Sequence, residues 1–151
     1  GYYEHFEERW LTDQHPASIN LINLFEKNGK LPNISRLVDT YNITSLTTGL
    51  SFGVHDVDKL PDHVEITLAQ GGEDFDAIGW VELIGIQTGE FVLKWSDRVY
   101  GRDIKQSEQS KITEDTRDVL IYVQGNINTT KQQLQDALDE VLRNIDTFLT
   151  N

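Results

Sequence analysis

The sequence predicts an α+β domain with a mainly antiparallel sheet, and three observations carry that prediction. Helical periodicities fill the first third of the chain, up to Gly49. Alternating, glycine-punctuated segments follow as far as Val123, and one strongly periodic helix closes the chain. Helices, then strands, then a helix, with no strand–helix–strand alternation, place the strands in antiparallel pairs. At 151 residues the chain is expected to form one domain, residues 1–151, large enough to bury a core.

The first helix is expected from Tyr2 to Leu11, where Tyr3, Phe6 and Trp10 recur at helical spacing and Glu4, Glu7 and Glu8 face outward. Pro16 suits the first turn of a second helix whose apolar stripe is Ile19, Ile22 and Leu24–Phe25, ended by Asn28-Gly29. Pro32-Asn33 opens a third, with Ile34, Leu37, Val38 and Tyr41 on one buried face, Asn42 at its edge and Gly49 beyond its end. The segment after Gly49 breaks at Gly53 into a turn that carries His55, Asp56 and Asp58. Val64 to Ala69 alternates as a half-buried strand, and Gly71-Gly72 is a tight turn. Ala77 to Ile86 is short, apolar and interrupted by glycine; Thr88-Gly89-Glu90 turns into a strand Phe91–Trp95, with another from Val99 to Ile104. Gln106 to Thr116 reads as a polar loop, and Val119 to Val123 as a strand central in its sheet or buried on both faces. The last helix begins with a Thr130-x-x-Gln133 capping box and carries Leu134, Leu138, Val141, Leu142, Ile145, Phe148 and Leu149 as its packing stripe.

Composition excludes several classes. The absence of cysteine removes disulfide scaffolds, thiolate zinc sites and cysteine nucleophiles. No apolar run reaches the length of a membrane helix and no signal-peptide pattern opens the chain, so a cytoplasmic protein without membrane contact is expected. A formal charge of −12 argues against nucleic-acid binding by the whole surface, though not against a local basic patch. The glycines lack nucleotide-binding spacing, and no pair of His5, His15, His55 and His63 has the i, i+4 spacing of a helical zinc site. The Asn-x-Ser/Thr triplets at Asn33, Asn42 and Asn128 are expected by chance at this composition.

Two groups of residues stand out. Asn42, Gly53, His55, Asp56 and Asp58 cluster around the third helix and the turn after it; their plain alternative is that the aspartates cap the turn and His55 lies at the surface. Lys94, Arg98, Arg102, Lys105 and Lys111 place five of the chain's 13 basic residues within 18 positions; their plain alternative is a solvated face, since Asp97, Asp103 and Glu108 interleave with them.

From Pro16 to Asp146 a series of pieces occurs in a familiar order: Leu31-Pro32, Leu37-Val38-Asp39, Tyr41-Asn42, His55-x-x-Asp58, Gly71-Gly72-Glu73-x-Phe75, Gly89-Glu90, Gln106-Ser107-Glu108, Ile112-Thr113-x-x-Thr116 and the strand Val119–Val123. The series resembles the B3/B4 domain, the editing module of the phenylalanyl-tRNA synthetase beta subunit, and especially the small freestanding proteins built from that domain. The resemblance implies a three-layer α+β domain with an unusual β-sandwich. The implied activity is hydrolysis of the ester between a wrong amino acid and the 3′ end of tRNA, without metal or organic cofactor. Such an ester is already activated, so the site must position a water and stabilise an oxyanion.

Carried over residue by residue, the resemblance gives Asn42 and His55 the catalytic places, the latter across a small insertion. Gly53, Asp58, Asp103 and Tyr122 fall to the substrate side; on the strength of the basic cluster, Lys94, Arg98, Arg102, Lys105 and Lys111 are expected to meet the acceptor-end phosphates. Two departures bear on specificity. Tyr122 stands where the synthetase has a glutamate that reads tyrosine's hydroxyl, and Arg102 to Gln106 replace its glycine-rich loop, so a tyrosine-specific editor is not expected. Related proteins also carry a segment before the position of Tyr2, which this chain is expected to lack. The competing expectation is a non-catalytic module that binds RNA, a small amino-acid-like ligand or a protein partner.

Overall fold

Ser35 and Gly49 fix the ends of the central helix, and they show how local sequence sets this fold. The structure, a computed structural model, describes residues 17–30, 35–79, 85–102 and 105–149. The expected helix at Tyr2–Leu11 lies outside the described residues, as do Ile34, Asp103 and Ile104. The described residues fall into two compact units: unit 1 draws on residues 1–52 and 122–151, unit 2 on residues 53–121.

Among the described residues, unit 1 holds the helices α1 (Ala17–Asn28), α2 (Arg36–Thr48) and α3 (Lys131–Leu149), with α2 packed against both others. Ser35, extended at φ −160°, accepts a hydrogen bond from the Val38 N–H at 3.2 Å and so starts α2. Gly49 ends it at φ +71°, donating its N–H to the Ser45 carbonyl. The helix therefore begins after Ser35, later than Pro32-Asn33 suggested.

Its buried face also differs from the expected one. Val38 is buried, but Leu37 and Tyr41 are half-buried, and the rest of the inner face is Thr40, Thr44 and Ser45. These hydroxyls are tolerated because each finds an acceptor: Thr40 donates to the Arg36 carbonyl at 2.7 Å and Ser45 to the Leu50 carbonyl at 2.7 Å. Polar burial recurs in α1, where Ser18 is the buried residue and its N–H donates to Ser51 Oγ at 3.3 Å. Of the expected α1 stripe, Ile19 and Ile22 are half-buried, whereas Leu24 and Phe25 are exposed.

The capping box of α3 is formed as expected: the Gln133 N–H donates to Thr130 Oγ1 and the Thr130 N–H to Gln133 Oε1. Ala137 and Val141 supply its buried seam, with Leu134, Leu138 and Ile145 half-buried beside it. Leu142 is exposed instead, because it sits one step around the helix from Val141.

Strand β1 (Ser51–Asp56) is buried along its whole length. It corrects the turn expected at Gly53: that glycine is a strand residue. The turn comes later, as a 3₁₀ segment Val57–Lys59 capped by the Asp56 carboxylate, which accepts from the Asp58 N–H. β1 pairs with β5 (Val119–Gln124), and the chain passes between the units inside both strands. β5 is half-buried throughout, rather than buried on both faces, and among the described residues it has one partner strand.

Unit 2 is built on the antiparallel sheet β2 (Glu65–Leu68), β3 (Phe91–Trp95) and β4 (Arg98–Arg102), in that order, with an irregularity between Leu93 and Lys94. Ala69, Ile86, Val92 and Val99 form its buried cluster, with Phe75 packed against it. Full burial of one such valine contributes about 1.5–3 kcal/mol. The alternation of β2 misleads, because Ile66 and Leu68 are exposed, as are Phe91 and Trp95 on the same face of β3.

Two related turns feed this sheet, Gln70-Gly71-Gly72-Glu73 and Gln87-Thr88-Gly89-Glu90. In each the glutamate folds back to accept from the N–H of the glutamine three residues earlier, at 2.7 Å for Glu73 and 2.6 Å for Glu90. The turns also hold each other, through Thr88 Oγ1 to the Gln70 carbonyl and the Gly72 N–H to the Ile86 carbonyl. Gly71 is required twice over: its φ is +95°, and a Cβ there would stand 2.8 Å from Thr88 Oγ1.

Candidate functional site

In unit 2, β1 and the 3₁₀ turn after it carry Gly53, His55, Asp56 and Asp58. His55 is fully buried, not a surface residue, and its Nδ1 lies 2.7 Å from Ser110 Oγ, itself fully buried. Burial lowers the imidazole pKa to about 4, so His55 is neutral at physiological pH. A neutral imidazole can orient a hydroxyl or a water but offers no charge to a phosphate. Asp56 accepts from Thr116 Oγ1 at 2.6 Å and from Lys59 Nζ at 3.0 Å. These bonds, Thr116 foremost, hold its pKa below the usual carboxylate value against the opposing effect of desolvation. Asp56 thus behaves as a turn-capping residue, while Asp58 is exposed.

Four of the five basic residues, also in unit 2, are ion-paired. Lys94 Nζ lies 3.2 Å from Glu73, Arg98 Nη2 2.7 Å from Asp74, and Lys111 Nζ against Glu108. Arg102 makes a two-pronged pair with Glu90, Nε to Oε2 at 2.9 Å and Nη2 to Oε1 at 2.8 Å, with its Cζ 5.5 Å from the Phe75 ring centre. Its side chain is 1% exposed. Arg102 is therefore a structural cation that locks the second turn. Desolvation pushes the Glu73 pKa up, but the backbone N–H groups around Gln70 and the Lys94 ammonium outweigh it and hold the carboxyl below its ordinary value. Lys105 is half-buried and exchanges backbone hydrogen bonds with Arg102.

In unit 1, Asn42 is half-buried on α2 and Tyr122 half-buried on β5. Next to Asn42, Tyr41 has its phenol pKa raised to about 12, by burial first and by Asp39 second. Asn42 and Tyr122 thus belong to unit 1, while Gly53, His55, Asp58 and the described basic residues belong to unit 2. Asp103 lies outside the described residues.

Sequence reasoning missed Ser110, Thr116 and the ion-pair partners Glu73 and Glu90. The repeated Gln-x-Gly-Glu tetrad was the available signal for the last two. Among the described residues no three His, Asp or Glu side chains converge as a metal site, and no helix is long and apolar enough to cross a membrane.

No curated protein matches the chain. Among solved structures, an N-terminal fragment of the phenylalanyl-tRNA synthetase beta subunit from Pyrococcus horikoshii has a similar fold, with a TM-score of 0.63 and 19% sequence identity. The match covers 74% of this chain and 39% of that one, so the chain corresponds to less than half of its structural relative. The B3/4 domain model matches residues 9–150. An α+β architecture of this kind, matched over nearly its whole length, makes the chain a member of the B3/4 domain family.

Proposed function

We propose that this protein acts on the aminoacylated 3′ end of tRNA and hydrolyses the ester of a misattached amino acid. The observation that carries the reading is the B3/4 family match over residues 9–150, supported by the likeness in fold to a fragment of a tRNA synthetase. In this reading Asn42, half-buried on α2, orients the ester carbonyl or the attacking water. His55, fully buried and neutral, acts as a positioning residue through Ser110. Gly53, Asp58, Asp103 and Tyr122 shape the substrate side. Arg98 and Lys111, whose side chains are 42% exposed in both cases, are the cations best placed to reach phosphates, while Lys94 and Arg102 hold turns.

A panel of mischarged tRNAs tests the proposal. Release of at least one amino acid above the buffer rate is expected, with Asn42→Ala slowing it at least about tenfold, or about 1.4 kcal/mol of barrier. No release for any amino acid, from protein that includes its native flanking sequence, overturns it.

The pairing of the basic residues favours a second reading, a non-catalytic binding module. Phosphate binding by Lys and Arg makes affinity fall as salt rises. Filter binding of uncharged and charged tRNA at two salt concentrations separates the readings. Salt-sensitive binding without hydrolysis selects an RNA-binding module; no tRNA binding selects a small-molecule or protein partner.

A further inference from the structure

Strand β2 lies at an edge of the unit 2 sheet, with β3 as its one partner strand among the described residues. Just past its end, Ala69 turns both backbone groups toward β3. Its N–H donates to the Glu90 carbonyl and its carbonyl accepts from the Gly89 N–H, each at 2.8 Å. Backbone direction alternates along a strand, so Thr67 also faces β3, while Ile66 and Leu68 direct their N–H and C=O groups out of the sheet. The same two residues are the most exposed apolar side chains of the sheet, 56% for Ile66 and 50% for Leu68, and the exposed Phe91 stands opposite Leu68. Open backbone groups beside apolar side chains recruit another strand, and edges are commonly guarded by proline, lysine or a bulge. β2 has none of these, and its one charge, Glu65, sits at its first residue.

The sequence of β2 makes it complementary to itself. Set antiparallel to the β2 of a second copy, with a two-fold axis at Thr67, Ile66 faces the second copy's Leu68, and Leu68 the second copy's Ile66. Both are then pairs that exchange hydrogen bonds in each direction, and the two Thr67 form the non-bonded pair between them. The apolar side chains fall on one face, where such cross-strand neighbours stabilise the ladder. The two Glu65 are held about 14 Å apart along the strands. A slip of one residue sets Ile66 and Leu68 on the face opposite their counterparts, and a slip of two leaves one of them without its apolar partner. About half of Ile66, Leu68 and Phe91 is exposed, which offers on the order of 300 Å² of apolar surface per copy. A standard interface takes about 800 Å² from each partner, so this pairing suits a weak, reversible dimer.

We propose that β2 is the surface through which two copies of this chain associate, Thr67 against Thr67, joining their three-stranded sheets into one. The pairing goes beyond the tRNA reading and does not rest on it. Each copy carries a formal charge of −12, so electrostatics oppose association and salt strengthens it. That is the reverse of what phosphate binding shows.

Sedimentation velocity of the full chain from about 5 to 500 μM, in low and in high salt, tests the proposal. A monomer–dimer equilibrium is expected with Kd of about 10–100 μM. It should tighten at least about threefold on raising salt from about 0.05 to 0.5 M. Ile66→Lys with Leu68→Lys should weaken it at least about tenfold while keeping the parent circular dichroism spectrum, since both side chains are exposed. The chain has no cysteine, so Thr67→Cys supplies a single thiol. Across the axis its Cα lies about 4.5 Å from its counterpart, within disulfide reach, whereas Glu65→Cys stands well beyond it. Mild oxidation should therefore link Thr67→Cys into a covalent dimer at least about tenfold faster than Glu65→Cys. The proposal is overturned by a monomer at every concentration and salt, by a dimer that weakens as salt rises, by an undiminished double-lysine variant, or by Glu65→Cys linking as fast as Thr67→Cys.

Discussion

The two units handle charge in opposite ways. In unit 2, Lys94, Arg98, Arg102 and Lys111 each meet a carboxylate, and the most buried pair, Arg102–Glu90, is bidentate. In unit 1, Asp136 and Glu140 line a groove without an ion-pair partner among the described residues. A run of basic residues in a sequence therefore says little about external anions until their partners are known. Here four of the five meet carboxylates of their own unit, and Lys94 and Arg102 brace turns against strands.

The largest test breaks the tightest pair. Arg102→Met leaves the Glu90 carboxylate buried without its counter-ion and should cost about 3–5 kcal/mol in urea-induced unfolding. Adding Glu90→Gln should restore a large part of that loss. An Arg102→Met protein as stable as the parent would show that the pair is not what holds the turn.

The next test uses the neutral buried group in the same unit. The folded pKa of His55 is about 4, below the ordinary histidine value. Between those values the unfolded chain binds a proton that the folded one does not, so stability falls as pH drops from about 6.5 to 4 and levels below it. The loss is of order 3 kcal/mol. His55→Gln should flatten that window in denaturation curves taken across it. The carboxylates Asp56, Glu73 and Glu108 also have lowered folded pKa values, and their contributions are lost at lower pH, within and below the ordinary carboxylate range.

The smallest test is in unit 1. Asp136→Asn keeps an acceptor for Gln132 and removes one of two facing negative charges, so it should stabilise the protein by about 0.2–0.5 kcal/mol. Destabilisation of similar size would mean that the carboxylate itself has a favourable role in the folded protein.

These contrasts explain what could be read from the chain beforehand. The α3 capping box, the Gly49 helix end, the Gly71-Gly72 turn and strand β3 depend on neighbours within a few residues, and each stands where it was expected. In the sequence β1 reads as a turn because half of it is Ser51, His55 and Asp56; a hydropathy pattern cannot foresee that buried polar groups will find partners. Two of those partners, Ser110 and Thr116, lie 55 and 60 residues away. The reverse error came at β2, where alternating Ile66 and Leu68 face outward. His55 and Asn42 were singled out by family pattern, whereas the burial and neutrality of His55 emerge only from tertiary packing.

The paired Gln-x-Gly-Glu turns have a consequence for how β2, β3 and β4 choose their alignment. Lys94 reaches Glu73 from β3, and Arg102 reaches Glu90 from β4. A slip of one residue in either strand would turn its cation to the opposite face of the sheet. The matching glutamate, pinned by its backbone N–H partners, could not follow, and a carboxylate would stay buried without compensation at several kcal/mol. The two turns therefore act as a pair of keys, each accepting one alignment of its strand. That discrimination is valuable in a sheet whose outer face carries Ile66, Leu68, Phe91 and Trp95, side chains that by themselves would tolerate more than one pairing.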